Sequence, residues 1–589
     1  MFTTDMASDK YLISAAIDFG TTYSGYAFST RNDFKTSPLN ASCLTWTAGS
    51  GQLQSFKTSS SVLFNADGEF DSFGFEAEDK YSDLVLEDEH KEWYLFRRFK
   101  MALYKKKNIK RDLELKDMNG KQMPALKVFS AILRYLKNHL LGECAKQGFE
   151  SVDTDIHWVL TVPAIWSEPA KQFMREAAIN AGLPSDQLIL ALEPEAASLF
   201  CKHQPVQSMV DGEGKKMGVF RHGTKYMVLD AGGGTIDVTV HQVQKNGTIR
   251  EIHKASGGNW GGTSVDEEFE SLLSDIVGEQ IVREFKNDFV EDVLELYRSF
   301  EMKKRSISKT MEGKITFNIP SKLLEIFEKH YPNDKMDMFI KSNPKYSSDV
   351  TWYGSKLRLS KALTLSLFAR SLGDITDHLQ QVVNHASVQD LSAILMVGGY
   401  SECSLLQDAV KERFPHLKVI VPREAGLAVL KGAVITGHCP NIITERISRY
   451  TYGVACRTLF NKRVHKEEYK VVDEVGVARC DNVFKRHVAV EESVTLGKSC
   501  ETNGYYCVSR PTDTSLSINI YASTEPSPMY TTDKSCQKLG TLKMSMPDTS
   551  KGLNRGVEVS MSFGGTEIEV EAVNIHTKKK HTAFFDFLG

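Results

Sequence analysis

The sequence lacks long apolar runs, paired-cysteine motifs and a strong net charge, and each absence argues against a class of protein. No stretch approaches the ~18 consecutive apolar residues that a membrane helix needs. The formal net charge of −3 argues against a surface built to bind a nucleic-acid backbone. The first twenty residues have no basic start followed by an apolar core, so they do not resemble a secretory signal.

The ten cysteines are scattered, with no Cys-x-x-Cys pair and no histidine pair nearby at zinc-finger spacing. This distribution favours free thiols in a reducing compartment over a metal site or a disulfide framework. We therefore expect a cytoplasmic protein. The lysine runs Lys105–Lys107 and Lys578–Lys580 fit nuclear-import signals or, as we favour, solvated loops.

A unit of strand, Asp-containing turn and strand occurs twice, about two hundred residues apart. Such a long-range repeat predicts two related halves that face each other. The two copies are Tyr11–Ile17, Asp18–Thr22 and Tyr23–Phe28, and then Tyr226–Leu229, Asp230–Thr235 and Ile236–Val243.

Strands alternate with helices in the first three quarters of the chain, which predicts α/β layers. His157–Val162 reads as a strand, and Ser167 is suited to cap a helix that begins near Glu168. Apolar residues at three- and four-residue steps over 365–382 predict a longer helix. Leu391–Val397 then predicts a buried strand.

The pattern changes near Pro440, beyond which short alternating runs predict a β-sandwich of about 130–150 residues. We place the boundary at 437–447. The predicted domains are therefore 1–440, with halves at about 10–200 and 221–440, and 441–589. The strand-like runs of the second domain are Leu516–Tyr521, Gly556–Phe563, Glu567–Val573 and His581–Phe587.

Both repeated turns are suited to bind phosphate, because a turn of Gly and small hydroxyl residues gathers backbone N–H groups in one concavity. Neither turn matches a Walker motif, since no Gly-Lys-Ser/Thr follows. Alone, each turn is more often a simple hairpin. Together they predict a polyphosphate held from both sides. Asp18 and Asp230 fit the preference of magnesium for carboxylates, waters and phosphate oxygens, and each is also suited to cap its own turn.

In combination, these motifs resemble the 70-kDa heat-shock chaperones, in a divergent branch, over roughly residues 10–440. The resemblance implies a duplicated actin-like (ribonuclease H-like) α/β ATPase, with two lobes around a nucleotide cleft and a β-sandwich-like C-terminal domain. A weaker likeness to the last strands of the family's peptide-binding β domain covers Ser515–Ala522, Leu539–Met546 and Arg555–Lys578. The motifs that carry the resemblance are Asp18–Ser24, Thr161–Ala164 with Glu193, Leu229–Thr239, Glu301–Ser308 and Val397–Gly399.

The resemblance also implies ligands and roles. It implies ATP or ADP with Mg²⁺, and K⁺ in the same shell, with Asp18, Asp230 and Glu193 holding the metal mainly through water. Thr235 would orient water or the γ-phosphate. Lys100 would help to place the nucleophile, with Arg97 and Arg98 as rival alignments. The catalytic group is thus Asp18, Lys100, Glu193, Asp230 and Thr235.

The resemblance implies that the adenosine lies against one helix, on which Glu301, Lys304, Arg305 and Ser308 are spaced to share a face. Without the family, charges at this spacing would more often form a solvated helix face. Glu301 would accept hydrogen bonds from the ribose, and the stems of Lys304 and Arg305 would cover the base. The nucleotide-binding residues implied by the family are Gly20, Thr21, Thr22, Tyr23, Gly232, Gly233, Gly234, Thr235, Glu301, Lys304, Arg305, Ser308, Gly398 and Gly399.

Several positions depart from the family pattern. Glu402 stands where the family has an Arg that stacks on adenine, Arg423 aligns with an Asp, and Glu195 stands where the family has Thr. The segment Asn441–Ile447 replaces the acidic, leucine-rich linker, with Arg446 in it. Only Leu588 and Gly589 follow the last strand-like run, so we expect no helical lid.

We therefore predict an ATP-binding, slowly hydrolysing chaperone of the stress response that binds protein or peptide clients, with co-chaperones as further partners and neither nucleic-acid binding nor membrane insertion. The first alternative is a nucleotide-sensing adaptor with little turnover, which Glu195 and Glu402 favour. The second is a small-molecule kinase of the same fold, against which the β-rich tail argues.

Overall fold

The computed structural model of the chain describes residues 10–48, 53–106, 109–148, 153–204, 220–473, 476–498, 504–562, 568–584 and 587–588. Lys107 and parts of the predicted strands Gly556–Phe563, Glu567–Val573 and His581–Phe587 lie outside these residues. Within them, every cysteine is a free thiol. No helix in the described ranges combines the length and the apolar character needed to cross a bilayer.

The first lobe is a mixed sheet covered by helices. Its elements are β1 (Ile13–Phe19), β2 (Tyr23–Thr30), α1 (Arg31–Thr36), β3 (Ser42–Cys43), β4 (Trp46–Ala48), β5 (Leu53–Ser55), β6 (Thr58–Ser59), β7 (Ser61–Phe64), β8 (Phe70–Phe73), α2 (Phe75–Leu86), β9 (Tyr94–Arg97), α3 (Ala102–Lys105), β10 (Glu114–Lys116), β11 (Gln122–Pro124), α4 (Ala125–Lys146), β12 (Ile156–Val162), α5 (Glu168–Asn180), β13 (Leu188–Leu192) and α6 (Glu193–His203). The sheet order is β13-β12-β1-β2-β3, with the first three strands parallel. Strands β1 and β12 are buried throughout, as expected for strands covered on both faces.

The second lobe repeats this arrangement. Its elements are β14 (Lys225–Ala231), β15 (Ile236–Val243), β16 (Ile249–Gly258), α7 (Thr263–Val277), α8 (Glu279–Asp288), α9 (Val290–Arg305), β17 (Ile315–Asn318), α10 (Ser321–His330), α11 (Met336–Ser342), β18 (Val350–Tyr353), β19 (Lys356–Leu359), α12 (Lys361–Val383), β20 (Leu391–Val397), α13 (Ser404–Arg413), β21 (Lys418–Ile420) and α14 (Ala428–His438). Its strands β21-β20-β14-β15-β16 follow the same order and senses as those of the first sheet. The repeat in the sequence is therefore a repeat in topology.

The two lobes meet where helices α6 and α14 cross. Gly432 of α14 lies against the main chain of α6, and a Cβ at this position would come 1.7 Å from the carbonyl oxygen of Ala196. The close approach therefore requires glycine. This crossing brings α6 of the first lobe into direct contact with α14 of the second.

The C-terminal part consists of eleven strands in its described residues, nine of which form two sheets. The strands are β22 (Ile443–Ile447), β23 (Thr451–Leu459), β24 (Lys470–Val472), β25 (Ala478–Val488), β26 (Ser493–Thr495), β27 (Gly504–Cys507), β28 (Ser515–Ser523), β29 (Cys536–Ser545), β30 (Gly556–Ser562), β31 (Glu569–Asn574) and β32 (Lys580–Phe584). One sheet has the order β24-β25-β23-β28-β29 and the other β27-β30-β31-β32. Val454 and Ile520 of the first sheet share one core with Val559 and Val570 of the second, which is sandwich packing.

Strands β22 and β26 belong to neither of these sheets. Strand β22 runs parallel to β16, with Ile443 opposite Ile249, and β26 pairs with the outer side of β22. The segment predicted to link the domains is thus an added strand of the second lobe's sheet.

Candidate functional site

The two repeated turns face each other across the cleft. A Cβ on Gly233 would lie 2.4 Å from the Thr22 hydroxyl, and one on Gly234 would lie 2.6 Å from the Thr21 hydroxyl. Glycine is therefore required for the turns to approach so closely. The facing arrangement predicted from the repeat is present in the structure.

The second turn points its carbonyl groups away from the cleft. Gly232 O accepts from Gly262 N at 3.1 Å, and Gly233 O accepts from Thr263 N at 2.8 Å. In the described part of the chain, the N–H groups of Gly233 and Gly234 have no acceptor, and the same holds for those of Thr21 and Thr22. Such unpaired N–H groups form the anion-binding concavity predicted for these turns.

Four carboxylates and two lysines lie together beside these turns. Asp18 accepts from Lys57 Nζ at 2.6 Å and from Thr161 Oγ1 at 2.9 Å. Lys100 Nζ donates to Glu193 Oε1 at 2.8 Å. The remaining two members of the cluster are the carboxylates of Asp230 and Asp237.

Burial and the neighbouring charges shift the pKa values of these carboxyl groups in different directions. Burial would raise the pKa of Asp18, but Lys57, Lys100 and Thr161 outweigh it and hold this pKa below its usual value. Burial raises the pKa of Glu193 to about 7 despite the contact with Lys100. Burial, together with Glu193 and Asp237, raises the pKa of Asp230 well above its usual range. The cluster therefore holds more carboxyl groups than its two lysines neutralise, and the protonated form of Asp230 is favoured.

The residues present fit a nucleotide with magnesium. Asp230 makes no ion pair with any described residue, and Gly398 lies so close that a Cβ would come 2.4 Å from Asp230 Oδ1. In the described ranges, no three His, Cys, Asp or Glu side chains are grouped to hold a metal directly. A magnesium ion here would therefore be held through waters and phosphate oxygens, which is its usual preference.

Of the three alternatives for the catalytic cation, only Lys100 reaches the carboxylate cluster. Lys100 lies in a 3-10 turn, Phe99–Met101, with its ammonium 5.2 Å from the centre of the Trp166 ring. Arg97 instead donates to Glu78 at 3.0 Å, and Arg98 reaches Asp266 in the second lobe at 2.8 Å.

Thr235 and Asp237 stand at the start of β15. The carbonyl of Thr235 closes the turn by accepting from Gly232 N at 3.0 Å, and its hydroxyl is bonded to Asp237. Asp237 Oδ1 also accepts from Ile165 N in the first lobe at 2.9 Å. Asp237 therefore connects the second turn to the segment that follows β12.

Helix α9 brings three of the four predicted adenosine residues to the cleft. Glu301 pairs with Lys304 at 2.5 Å and with Arg305 at 3.0 Å. Lys304 also pairs with Asp266 at 2.6 Å and is buried. The guanidinium of Arg305 lies 5.4 Å from the centre of the Tyr23 ring, so it spans the two lobes.

The expectation that Ser308 shares this helix face is wrong. Helix α9 ends at Arg305, and Ile307 then turns into the core with 1% of its surface exposed. Ser308 lies beyond the helix, where its hydroxyl bonds that of Thr310 at 2.9 Å. Spacing alone indicated a common face but not where the helix stops.

The loop after β20 begins with Gly398 and Gly399 and ends at Glu402. Gly398 has φ +84°, a conformation that favours glycine. Glu402 Oε1 accepts from Gly426 N at 3.2 Å. Glu402 and Arg423 are both exposed, so the acid that replaces the stacking Arg lies at the rim of the cleft.

Two of the departures from the family pattern contact each other. Arg446 of β22 donates to both oxygens of Glu195 in α6, at 2.7 Å from Nε and 2.5 Å from Nη2. Both side chains are largely buried, at 16% and 7% exposed. Ile447 N, next along β22, donates to Glu251 at 2.9 Å. An ion pair and main-chain bonds thus hold β22 on the lobes.

Sequence reasoning did not identify Lys57, Asp237 or the Arg446–Glu195 pair as part of the site. Asp237 lies two residues after Thr235, and strand alternation, which places both side chains on one face, would have indicated it. Lys57 lies in no recognisable motif. Its contact with Asp18 joins residues 39 positions apart.

The chain is similar in sequence to known proteins over most of its length. The family model described as Hsp70 protein matches residues 79–331. The chain is 34% identical to Heat shock 70 kDa protein 12B of Homo sapiens, over 98% of this chain and 92% of that protein. Heat shock 70 kDa protein 12A of Mus musculus is also 34% identical, with the same coverage. Chaperone protein DnaK of Thermotoga petrophila is 28% identical over 54% of this chain and 46% of its own length.

Proposed function

The chain belongs to the 70-kDa heat-shock protein family, and on that premise we propose that it binds ATP and ADP with magnesium between its lobes, hydrolyses ATP slowly, and binds extended protein segments through its C-terminal sheets. One observation carries the nucleotide part of the proposal. The two turns face each other with unpaired N–H groups, beside a buried cluster of acids and lysines.

In this proposal, each of the two turns binds part of the polyphosphate. The N–H groups of Thr21 and Thr22 donate to phosphate oxygens from one lobe, and those of Gly233 and Gly234 donate from the other. When bound, magnesium supplies positive charge to the phosphate oxygens. Asp230 would hold water molecules of its shell, because this carboxylate has no cation of its own in the described chain.

Hydrolysis then depends mainly on positioning, as in other phosphoryl transfers. Lys100 would orient the attacking water, since its ammonium is fixed by Glu193 at 2.8 Å. Glu193 is suited to accept a proton near neutrality, because burial raises its pKa to about 7. Thr235 would hold the γ-phosphate or the water from the opposite side.

Single-turnover hydrolysis of ATP tests these roles. Lys100→Met is expected to slow the chemical step about a hundredfold while ATP affinity changes little, because it removes charge placed for the transition state. Arg97→Met is the matched control, since Arg97 pairs with Glu78 outside the cluster. Equal rates for wild type and Lys100→Met would exclude this role for Lys100.

The adaptor alternative is supported by Glu402, which places an acid where the family has a cation for the base. The same experiment separates the two functions. Tight ATP binding with no measurable single-turnover hydrolysis in the wild type would favour a nucleotide-sensing adaptor over an ATPase.

The client part of the proposal is supported by the surface of the first C-terminal sheet. Leu459 and Val472 are each 65% exposed, and Val464, in the turn that follows β23, is 51% exposed. Val472 belongs to β24, which forms one edge of that sheet. An extended segment can add to an exposed edge through main-chain hydrogen bonds, with apolar side chains supplying further contact.

A further inference from the structure

Lys57 brings a second ammonium group into the carboxylate cluster. Its Nζ lies 2.6 Å from Asp18 Oδ2. The side chains of Lys57 and Asp18 are only 17% and 6% exposed. Lys57 therefore belongs to the interior of the cleft and not to its solvated rim.

The fold provides a path for this side chain. Strand β6 pairs with β2 so that Ser24 lies opposite Thr58, which brings Lys57 next to Gly25. A Cβ at Gly25 would lie 3.2 Å from Lys57 Cγ and 2.9 Å from the carbonyl oxygen of Phe56. Gly25 is also the partner of Asp18 in the β1–β2 ladder. The absence of a side chain on Gly25 lets Lys57 cross β2 and reach Asp18.

The segment that carries Lys57 is fixed to the first turn. Ser60 N donates to Thr22 O at 2.9 Å, and Ser60 Oγ donates to Gly20 O at 2.8 Å. The ammonium of Lys57 is thus held in register with the turn that would face the phosphates.

Asp18 and Asp230 consequently differ in the partners of their carboxylate groups. Both oxygens of Asp18 are engaged, one by Lys57 and one by Thr161, whereas Asp230 has no ion-pair partner among the described residues. A polyphosphate placed between the turns needs positive charge, which a divalent cation ordinarily supplies. Beside Asp18, the ammonium group of Lys57 already supplies a positive charge at a fixed position.

We infer that Lys57 supplies part of the positive charge that a bound nucleoside triphosphate requires, so that nucleotide binding in this protein depends only weakly on magnesium. The inference rests on the proposed function, because it assumes that a nucleotide occupies the cleft. Magnesium would then strengthen ATP binding less in this protein than it would if Asp18 had no lysine partner. A Lys57 that only held its segment against β2, with no contribution from its charge, would affect ATP binding equally with and without magnesium.

The test is calorimetric titration with ATP, in excess magnesium and in excess EDTA, for wild type and Lys57→Met. Lys57→Gln serves as a second variant, because it removes the charge and keeps a hydrogen-bond donor for Asp18. Lys137→Met is the matched control, a buried lysine of α4 that donates to Gly182 O at 2.7 Å outside the cleft. Thermal unfolding identifies the variants that remain folded.

We expect wild type and Lys137→Met to lose less than about tenfold in ATP affinity when magnesium is removed, and each folded Lys57 variant to lose at least about tenfold more. An equal loss of affinity in both buffers, or no change in either, would overturn the inference and leave the proposed function intact. Absence of ATP binding by the wild type in both buffers would overturn both.

Discussion

At the scale of single residues, Glu402 is the clearest departure from the family in the cleft. It is exposed at the rim, and among the described residues its carboxylate accepts only a 3.2 Å bond from Gly426 N. We predict that Glu402→Arg tightens binding of ATP and ADP several-fold, because Arg supplies a planar cation that can stack on the base. Calorimetric titration measures the change.

Glu402→Gln is the control for this prediction, since it removes the negative charge without adding a stacking group. If Glu402→Arg leaves the affinity unchanged or weakens it, the alignment of this loop with the family's adenosine loop is wrong. A gain confined to the Arg variant would separate stacking from simple loss of charge.

The site residues differ in how readily they can be identified from the sequence. Asp18 and Asp230 are the next-to-last residues of β1 and β14, Glu193 begins α6, and each lies within a recognisable motif. The fold brings all three together. Lys57 depends on a glycine gap in a neighbouring strand, which no local pattern encodes. The resemblance left Lys100 and the two adjacent arginines as alternatives, and only the partners of each side chain in three dimensions distinguish them.

At the scale of elements, strand β22 depends on the buried pair of Arg446 and Glu195. We predict that Arg446→Met costs about 3–5 kcal/mol in local stability, because Glu195 is then left buried without a cation. Hydrogen exchange at the amides of β22 measures the loss as faster exchange.

The double variant Arg446→Met with Glu195→Met removes both charges and tests the cause. Replacing a whole buried ion pair with apolar side chains is often neutral, so we expect exchange at β22 to return close to that of wild type. Equal protection in wild type and Arg446→Met, or a double variant no better than the single one, would show that the pair does not hold the strand.

Glu251, whose carboxylate accepts from Ile447 N in β22, makes stability depend on pH. Burial, together with the nearby Glu195, raises the pKa of Glu251 from 4.5 to about 8. Between pH 4.5 and 8 the folded state therefore holds a proton that the unfolded state has released, and stability falls as the pH rises. The slope from one such group reaches at most about 1.4 kcal/mol per pH unit.

We predict that Glu251→Gln removes this contribution, so that the stability of wild type relative to the variant declines from pH 5 to pH 8. Urea unfolding at several pH values gives the difference. Because Glu193 and Asp230 titrate in both proteins, their contributions cancel. Parallel profiles for the two proteins would mean that Glu251 is ionised in the folded state.

Strands were easier to predict where the sequence carries a continuous pattern of residues suited to burial. The structure has β15 at Ile236–Val243, as predicted from its alternating pattern, and β20 at Leu391–Val397, as predicted from its apolar run. Ser167 takes the cap position of α5, although its side chain makes no capping hydrogen bond. The pairing of β22 with β16 could not be predicted, because it joins residues nearly two hundred positions apart.

At the scale of the whole molecule, the position of β22 bears on coupling between the cleft and the C-terminal sheets. Coupling requires that a nucleotide favour one arrangement of the parts over another. A linker strand bonded on one side to β16 and on the other to β26 favours a single arrangement. We therefore predict that the rate of peptide exchange differs little between ATP and ADP.

Stopped-flow anisotropy with a labelled hydrophobic peptide measures this exchange. Leu459→Glu with Val472→Glu is expected to weaken peptide binding, and Tyr353→Glu, an 83% exposed residue of the second lobe, is the matched control. A slow off-rate in ADP that accelerates many-fold on addition of ATP would contradict the prediction of weak coupling.

The central claim is that a nucleotide binds between the two facing turns, and calorimetric titration of Mg-ATP into wild type and Gly234→Val tests it most directly. A side chain at Gly234 would come 2.6 Å from the Thr21 hydroxyl, whereas Gly373→Ala, the control, adds a Cβ to open space. We predict one site in wild type and in Gly373→Ala, and at least about tenfold weaker binding in a folded Gly234→Val, because the added side chain displaces the facing turn. No heat of binding in the wild type, or equal affinity in Gly234→Val, would contradict the account.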